Sequence, residues 1–253
     1  MEPWQLIALT ALGLIAGALN VVAGGGSLLT LPAMIMMGIS GPIANGTNRV
    51  AIFAQNVTAV GGFRKKGFSD FRLSLTLSLC ALPGSIAGAY LGTLMRGATF
   101  NRILAVIMLA VLAQMIWQEQ AKRRRAPSAP PREPAPARMV LGHFCMIGIG
   151  FYGGFIQAGV GFMLMAVLNN VLRLDLVRVN MHKVFIVGTY TGAALIVFVL
   201  AGKVLWLPGI ALALGNSVGG WIGSHLSVSK GEGFIRRVLY LALTAMAIRL
   251  LFN

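Results

Sequence analysis

The chain has 253 residues, of which 57% are hydrophobic and only 11% are charged. A mean hydropathy of +0.80 places it among polytopic membrane proteins and excludes an ordinary water-soluble domain. The net charge of +15 comes from 21 Lys and Arg residues against 6 Asp and Glu residues. Because the basic residues lie in short loops between apolar runs, they indicate membrane topology rather than nucleic-acid binding.

The first apolar segment runs from Pro3 to Asn48 and contains no charged residue or histidine. As one helix, its 46 residues would measure about 69 Å, whereas the bilayer core is only ~30 Å thick, so the segment must break. Gly24, Gly25 and Gly26 are the expected place, since glycine costs ~1 kcal/mol per residue inside a helix. Ser27 would then open the next helix, whose free N–H groups suit an anion. The alternative is a close-packing glycine patch between helices.

The remaining elements follow in chain order. In the first half we predict helices over 6–22, 28–37, 45–62, 73–95 and 102–117. The N-terminus lacks a basic region followed by a cleavage site, so we expect the first helix to be retained rather than removed as a signal peptide. Residues 119–138 form a basic, Pro/Ala-rich linker, expected to be cytoplasmic. The linker separates a first membrane repeat, 1–118, from a second, 139–253.

The second half repeats the first. We predict helices over 139–157, 162–172, 184–201, 205–226 and 234–252, with a second break at 159–161 and a polar loop over 173–183. One constant offset in numbering pairs Gly26 with Gly161, Asn45 with Asn180 and Gly67 with Gly202, and a slightly smaller offset pairs Gly88 with Gly219 and Gly92 with Gly223. A duplicated membrane half with a break in each copy indicates a transport site at the repeat interface.

Topology follows from the number of crossings. If each broken segment is a re-entrant hairpin, each half has three spanning helices, and the two copies are inverted. With the loop at 64–72 in the cytoplasm, 16 of the 21 basic residues fall inside, including Lys183, and 5 fall outside, including Arg49. The predicted fold is therefore all-α, polytopic and built of two inverted repeats. A competing arrangement lets one broken segment cross fully.

The polar residues at membrane depth are neutral or donor-rich, while all six acids lie at predicted helix ends or in loops. We therefore expect a small anionic substrate and neither a metal ion nor a cofactor. The candidate substrate-binding residues are Asn20, Gly24, Gly25, Gly26, Ser27, Asn45, Thr47, Asn48, Gln157, Gly159, Gly161, Asn180 and His182. Asn20 and Gln157 lie beside the breaks and are expected to donate hydrogen bonds. Gln55 and Asn56 are expected to bond between helices instead.

His182 has two interpretations. Its imidazole could carry a coupling proton, because histidine titrates near neutral pH. Alternatively, it is an interfacial residue beside Arg178, which the sequence favours.

The residues also resemble a known family. The run Gly17–Pro32 and the stretch Ala44–Asn48 resemble the first signature of the sulfite exporter TauE/SafE type membrane permeases. Gly150–Gly161 is similar to the second copy of that signature, with Val160 replacing the middle glycine, and the stretches 200–204 and 219–223 match the family's style. The resemblance covers nearly the whole chain outside the linker. It implies export or uptake of a small sulfur-containing or carboxylate anion across the bacterial inner membrane.

Three functions remain open at this point. The first is a secondary transporter working by alternating access, with the bilayer, a small anion and protons as partners. The second is a passive anion channel, which would want a continuous polar stripe. The third is a membrane scaffold or an intramembrane enzyme. The sequence contains no His-Glu-x-x-His, no Gly-x-Ser-x-Gly and no paired intramembrane aspartates, so we expect no enzyme.

Overall fold

The computed structural model describes residues 2–68, 70–124 and 136–229, which form helices joined by short turns. In chain order the helices are α1 (Pro3–Ala23), α2 (Ser27–Met36), α3 (Gly41–Lys65), α4 (Phe71–Thr93), α5 (Gly97–Arg124), α6 (Pro136–Phe155), α7 (Val160–Ala166), α8 (Leu176–Leu200) and α9 (Trp206–Ser229). A π-helical segment, Val167–Val171, extends α7. The described residues contain no strand, which confirms the all-helical prediction. The predicted helix at 234–252 and the centre of the linker lie outside these residues.

The first break lies at the three glycines, as predicted. Gly24 has a φ of +82°, a left-handed conformation that favours glycine, and its N–H donates to the carbonyls of Leu19 and Asn20. The chain then reverses into α2, whose 10 residues span about 15 Å, half the thickness of the hydrocarbon core. A Cβ on Gly26 would lie 2.7 Å from the Cβ of Asn20, so α2 starts tightly against α1.

The second break begins earlier than the sequence predicted. α6 ends at Phe155, and the chain turns at Gln157, with a φ of +60°, and at Gly159, with a φ of +72°. These two left-handed residues complete the turn before Val160, so the helix restarts there and Gly161 falls in its first turn. The predicted break at 159–161 is therefore misplaced by about two residues, because the turn uses a glutamine that composition does not mark as a helix breaker.

Close packing through glycine joins α1 to α9. A Cβ on Gly13 would lie 2.6 Å from the carbonyl oxygen of Leu212, and a Cβ on Gly17 would lie 2.9 Å from the Cα of Asn216. Residue numbers rise together along this contact, so α1 and α9 run in the same direction. The glycines of α4 pack against α6 in the same parallel manner. Small residues let these backbones approach closely, which is how helices associate in lipid.

Helices α3 and α8 contact one another and run in opposite directions. Gly188 of α8 faces Asn56, whereas Gly192, one turn further along α8, faces Phe53, which is earlier in α3. Each of the two helices also has a parallel neighbour. α3 runs with α9, and α8 runs with α4.

These contacts define two sets of helices. α1, α3 and α9 point one way, and α4, α6 and α8 point the other. α1, α3 and α4 of the first half therefore run opposite to their counterparts α6, α8 and α9 in the second half, which is the relation that inverted repeats predict. The pseudo-two-fold axis in the membrane plane stays a prediction, because the structure contains no membrane.

The length and composition of the helices identify a multi-pass membrane protein. Among the described residues, four helical stretches are long and apolar enough to span a bilayer, namely Pro3–Ala23, Phe71–Thr93, Gly97–Gln114 and Leu176–Leu200. Large apolar side chains such as Ile7, Val106, Phe144 and Leu214 are exposed on the outer surface. Such a surface suits lipid rather than water.

Two basic residues that the sequence counted towards membrane topology, Arg49 at the start of a predicted helix and Lys183 in a predicted loop, are buried in helices. α3 begins at Gly41 and α8 at Leu176, both earlier than predicted. Arg49 therefore lies inside α3 with 0% exposure, and Lys183 lies inside α8 with 2% exposure. Neither residue therefore counts among the loop charges that predict membrane topology. The prediction was wrong because backbone carbonyls of other helices accept hydrogen bonds from these cations.

Candidate functional site

The two breaks meet backbone to backbone. A Cβ on Gly24 would lie 2.7 Å from the Cα of Gly161, so only glycines permit this approach. Gly24 caps the C-terminus of the first helix of one repeat, and Gly161 lies in the first turn of the short helix of the other. The duplicated irregular segments therefore converge on one place, where non-helical backbone is buried within protein.

A small cavity lies beside this contact. It is lined by Asn20, Ser27, Ile52, Asn56, Gln157, Val160, Gly161, Lys183 and Val187. The centre of a water molecule could occupy about 10 Å³ of this cavity. That volume is close to the minimum that holds one ordered water. In this conformation the cavity is too small for a multi-atom ligand.

Lys183 supplies a cation to the cavity. Its ammonium group donates a 2.7 Å hydrogen bond to the carbonyl of Val21, near the C-terminus of α1, and a 2.8 Å bond to the Oδ1 of Asn180. The carbonyl end of a helix carries partial negative charge, which favours a cation at this position. Lys183 thus joins the end of the first broken helix to the cavity wall.

Three amide side chains complete the polar lining. Gln157 donates from Nε2 to the hydroxyl of Thr191 at 2.8 Å, while its Oε1 has no partner among the described residues. Asn20 donates to the Oε1 of Gln55 at 3.2 Å, and Asn56 donates to the carbonyl of Ile52 in its own helix at 2.7 Å. A half-turn of an amide about its last side-chain bond exchanges its donor and its acceptor, so the Gln157 amide can present an N–H to the cavity.

Two helices begin at the cavity. α2 starts at Ser27 and α7 at Val160, and both residues line the wall. Within the described chain no side chain caps either N-terminus. The positive ends of two helix dipoles therefore face the same space as Lys183.

The predicted site residues divide into two groups. Asn20, Ser27, Gln157 and Gly161 line the cavity, and Gly24, Gly25, Gly26 and Gly159 form the turns around it. The remaining candidates lie elsewhere and have their own partners. Asn45 donates to the carbonyl of Phe155, Thr47 accepts from the N–H of Leu205, Asn48 accepts from Thr30, Asn180 donates to Ser227, and His182 pairs with Ser74.

Sequence reasoning missed Lys183 and Asn56 as cavity residues. Lys183 was placed in a loop because charge normally avoids the bilayer. The repeat contained a signal for its true place, since the offset that pairs Asn45 with Asn180 also pairs Lys183 with Asn48, which the sequence assigned to a helix and which is buried in α3. Asn56 was interpreted as an interhelical bond, whereas it bonds within α3 and faces the cavity. Gln55 does bond between helices, as expected.

Metal ligands are not clustered in the part of the chain that the structure describes. Across residues 2–68, 70–124 and 136–229, no group of three or more His, Cys, Asp or Glu side chains could hold a metal ion. The cavity is lined by amide side chains and a hydroxyl, which can each donate a hydrogen bond, and by one ammonium group. This set is complementary to an oxyanion.

The apolar exterior and the buried polar cavity between two broken helices define a multi-pass protein of the membrane transporter class. The chain belongs to the sulfite exporter TauE/SafE family, which matches residues 9–250. This match confirms the family resemblance given by the glycine signatures.

Curated relatives agree with this class. The probable membrane transporter protein YfcA of Escherichia coli K12 is 27% identical over 100% of this chain and 92% of its own length. The probable membrane transporter protein ORF9 of Sinorhizobium sp is 27% identical over 94% of this chain and 88% of its own. A probable membrane transporter protein of Haemophilus influenzae is 24% identical over 98% of this chain and 95% of its own length. No solved structure matches the chain significantly.

Proposed function

We propose that the protein is a secondary transporter that moves a small oxyanion, of the sulfite, sulfonate or carboxylate class, across the inner membrane by alternating access. The observation that carries the proposal is the convergence of Lys183, three amides and two helix N-termini on one buried cavity. An ionisable residue at membrane depth marks a substrate or ion pathway. Donors without a lining carboxylate favour an anion over a cation.

The closed form of the cavity favours a transporter over a passive channel. A channel needs a continuous polar path, whereas this cavity has room for about one water and lies beside the close contact of Gly24 with Gly161. Admitting an anion requires the two breaks to separate on one side. Such a rearrangement is the step that alternating access uses.

Protons are the proposed coupling ion, with His182 as their carrier. Its Nδ1 lies 2.8 Å from the Ser74 hydroxyl, and its Nε2 lies 4.0 Å from the Asp70 carboxylate. The residue follows Met181 and precedes Lys183 on α8, so it is close along the chain to the cavity. A membrane scaffold would not require a cation in the cavity wall.

The proposal is tested with purified protein in proteoliposomes. Uptake of labelled sulfite should be saturable. Unlabelled sulfite inside the vesicles should accelerate uptake, because the binding site of an alternating-access carrier reorients to the outside faster when it carries substrate. Methanesulfonate, acetate and chloride compete in turn to define the anion class. Uptake that neither saturates nor responds to internal sulfite would identify a channel, and no uptake of any of these anions would refute anion transport.

A further inference from the structure

Arg49 is a second buried cation, and its hydrogen bonds are incomplete. Its side chain has 0% exposure, and one guanidinium nitrogen, Nη2, donates to the carbonyl of Gly153 at 3.2 Å and also contacts the carbonyl of Gly154. The plane of the group lies over the ring of Phe198, 4.6 Å from its centroid. Its Nε and Nη1 have no partner among the described residues.

The hydroxyl of Tyr190 shows the same deficit beside Arg49. Tyr190 is 0% exposed, and within the described residues its hydroxyl makes no hydrogen bond. A Cβ on Gly153 would lie 2.7 Å from this hydroxyl oxygen, so Tyr190 and Arg49 both contact the same residue of α6. Two buried side chains from α3 and α8 therefore bring three unsatisfied donor groups to one place.

Such an arrangement is costly unless a partner arrives. Buried polar groups are almost always bonded, and a buried charge needs both a partner and filled hydrogen bonds. The carbonyls of Gly153 and Gly154 and, at 3.5 Å, the Oδ1 of Asn45 all accept from Nη2 and supply only partial negative charge. An oxyanion offers the full negative charge and the several acceptors that these donors lack.

The position of the pair relates it to the cavity. Arg49 lies one turn before Ile52 on α3, and Tyr190 lies one turn after Val187 on α8. Ile52 and Val187 both line the cavity. Because α3 and α8 are antiparallel, Arg49 and Tyr190 are displaced from Ile52 and Val187 towards the same end of the cavity. Each displacement is about 4.5 Å along the helix axis. Lys183 lies one turn from Val187 in the opposite direction.

We propose that Arg49 and Tyr190 form a second binding station for the transported anion, which rests on the proposed function. Lys183 holds the anion at one end of the path, and Arg49 with Tyr190 holds it at the other. Each cation binds a carbonyl near the end of a broken helix, Lys183 on α1 and Arg49 on α6. Arrival of the anion replaces those carbonyls and frees the helix end to move.

The decisive variant is Tyr190→Phe, which removes only the unpartnered hydroxyl. In proteoliposomes, the sulfite concentration that gives half-maximal uptake should rise about tenfold, as expected for the loss of a hydrogen bond to a charged group. The melting temperature without anion should not fall, because no protein bond is broken. Tyr90→Phe is the matched control, since Tyr90 is exposed on α4 and should behave as the unmodified protein. Arg49→Gln should abolish saturable uptake, with partial recovery in Arg49→Lys.

The outcomes separate the two proposals. If the unmodified protein transports sulfite and Tyr190→Phe has the same half-maximal concentration, the second station is refuted and the transporter stands. If the unmodified protein transports none of the anions, the transporter is refuted. In that case the rise of melting temperature with added sulfite decides the station: a rise that needs the Tyr190 hydroxyl supports it, and no rise, or an equal rise in Tyr190→Phe, refutes it.

Discussion

At the scale of single residues, the molecule buries cations where a soluble protein would expose them. Lys183 and Arg49 are both almost fully buried, and each bonds to backbone carbonyls near the end of a helix. Truncating one partner of a buried charge is strongly unfavourable. Such residues are retained in membranes mainly where they act on a substrate or an ion.

Replacing Lys183 tests the charge of the cavity. Lys183→Gln keeps much of the length and one N–H donor for Val21 but removes the ammonium charge. We expect the half-maximal anion concentration to rise at least tenfold, since hydrogen bonds to charged groups contribute about 1.5–3 kcal/mol. The measurement is sulfite uptake in proteoliposomes. Lys203→Gln in the turn before α9 is the matched control, and equal defects in both variants would contradict a local role.

The sign of the ligand's charge is tested at Gln157. Gln157→Glu keeps the shape of the side chain and places a carboxylate in the cavity wall, where its Oε1 now lacks a partner among the described residues. Like charges repel strongly in a site of low polarity, so anion uptake should fall by more than tenfold. Gln114→Glu on α5, outside the cavity lining, should transport normally. Unchanged uptake in Gln157→Glu would show that the anion does not pass this residue.

At the scale of elements, the two short helices owe their positions to glycine. The break at Gly24 was predictable because a run of 46 apolar residues exceeds one span and contains a single cluster of three glycines. The second break was misplaced because Gln157 adopts a positive φ within the tertiary structure. The start of α8 was misplaced because a polar stretch was taken for a loop, although its side chains bond to other helices.

The contact between the breaks can be probed with one methyl group. In Gly161→Ala the new Cβ would lie 2.8 Å from the carbonyl carbon of Gly24 and closer still to its Cα. Because backbone cannot move aside cheaply, we expect a loss of about 1–3 kcal/mol in stability and a matching loss of uptake. Gly148→Ala on α6 has open space around its Cβ and should melt and transport normally. Identical melting of the two variants would contradict the close contact.

At the scale of the whole molecule, the two halves are interleaved rather than side by side. α1 packs on α9, and α4 packs on α6, so the main parallel contacts join one half to the other. The sequence predicted two repeats from a constant offset between matching residues, and their opposite directions from the odd number of crossings in each half. It could not predict which helices would be neighbours, because several helices carry similar faces of small residues. The sequence does not show which of these faces pack against each other.

The cytoplasmic position of the 119–138 linker is testable by labelling. Its six basic residues predict retention inside the cell. With Cys80 and Cys145 replaced by serine, a cysteine introduced as Ser128→Cys should resist an impermeant thiol reagent added to intact cells. Thr99→Cys, at the exposed start of α5, should react readily because Arg96 and Arg102, which flank it, are among the five basic residues predicted outside the cytoplasm. Labelling of Ser128→Cys but not of Thr99→Cys would show that the protein has the opposite orientation in the membrane.

The pairing of α1 with α9 also has a consequence for biosynthesis. When α1 leaves the ribosome, the helix that will cover Gly13 and Gly17 is still untranslated, so this face first meets lipid. Final packing must therefore wait until nearly the whole chain is inserted, and each half made alone lacks the surfaces that bury its glycines. Conversely, we expect the two fragments produced by a protease cut between the halves to stay associated through the non-covalent contacts of their helices.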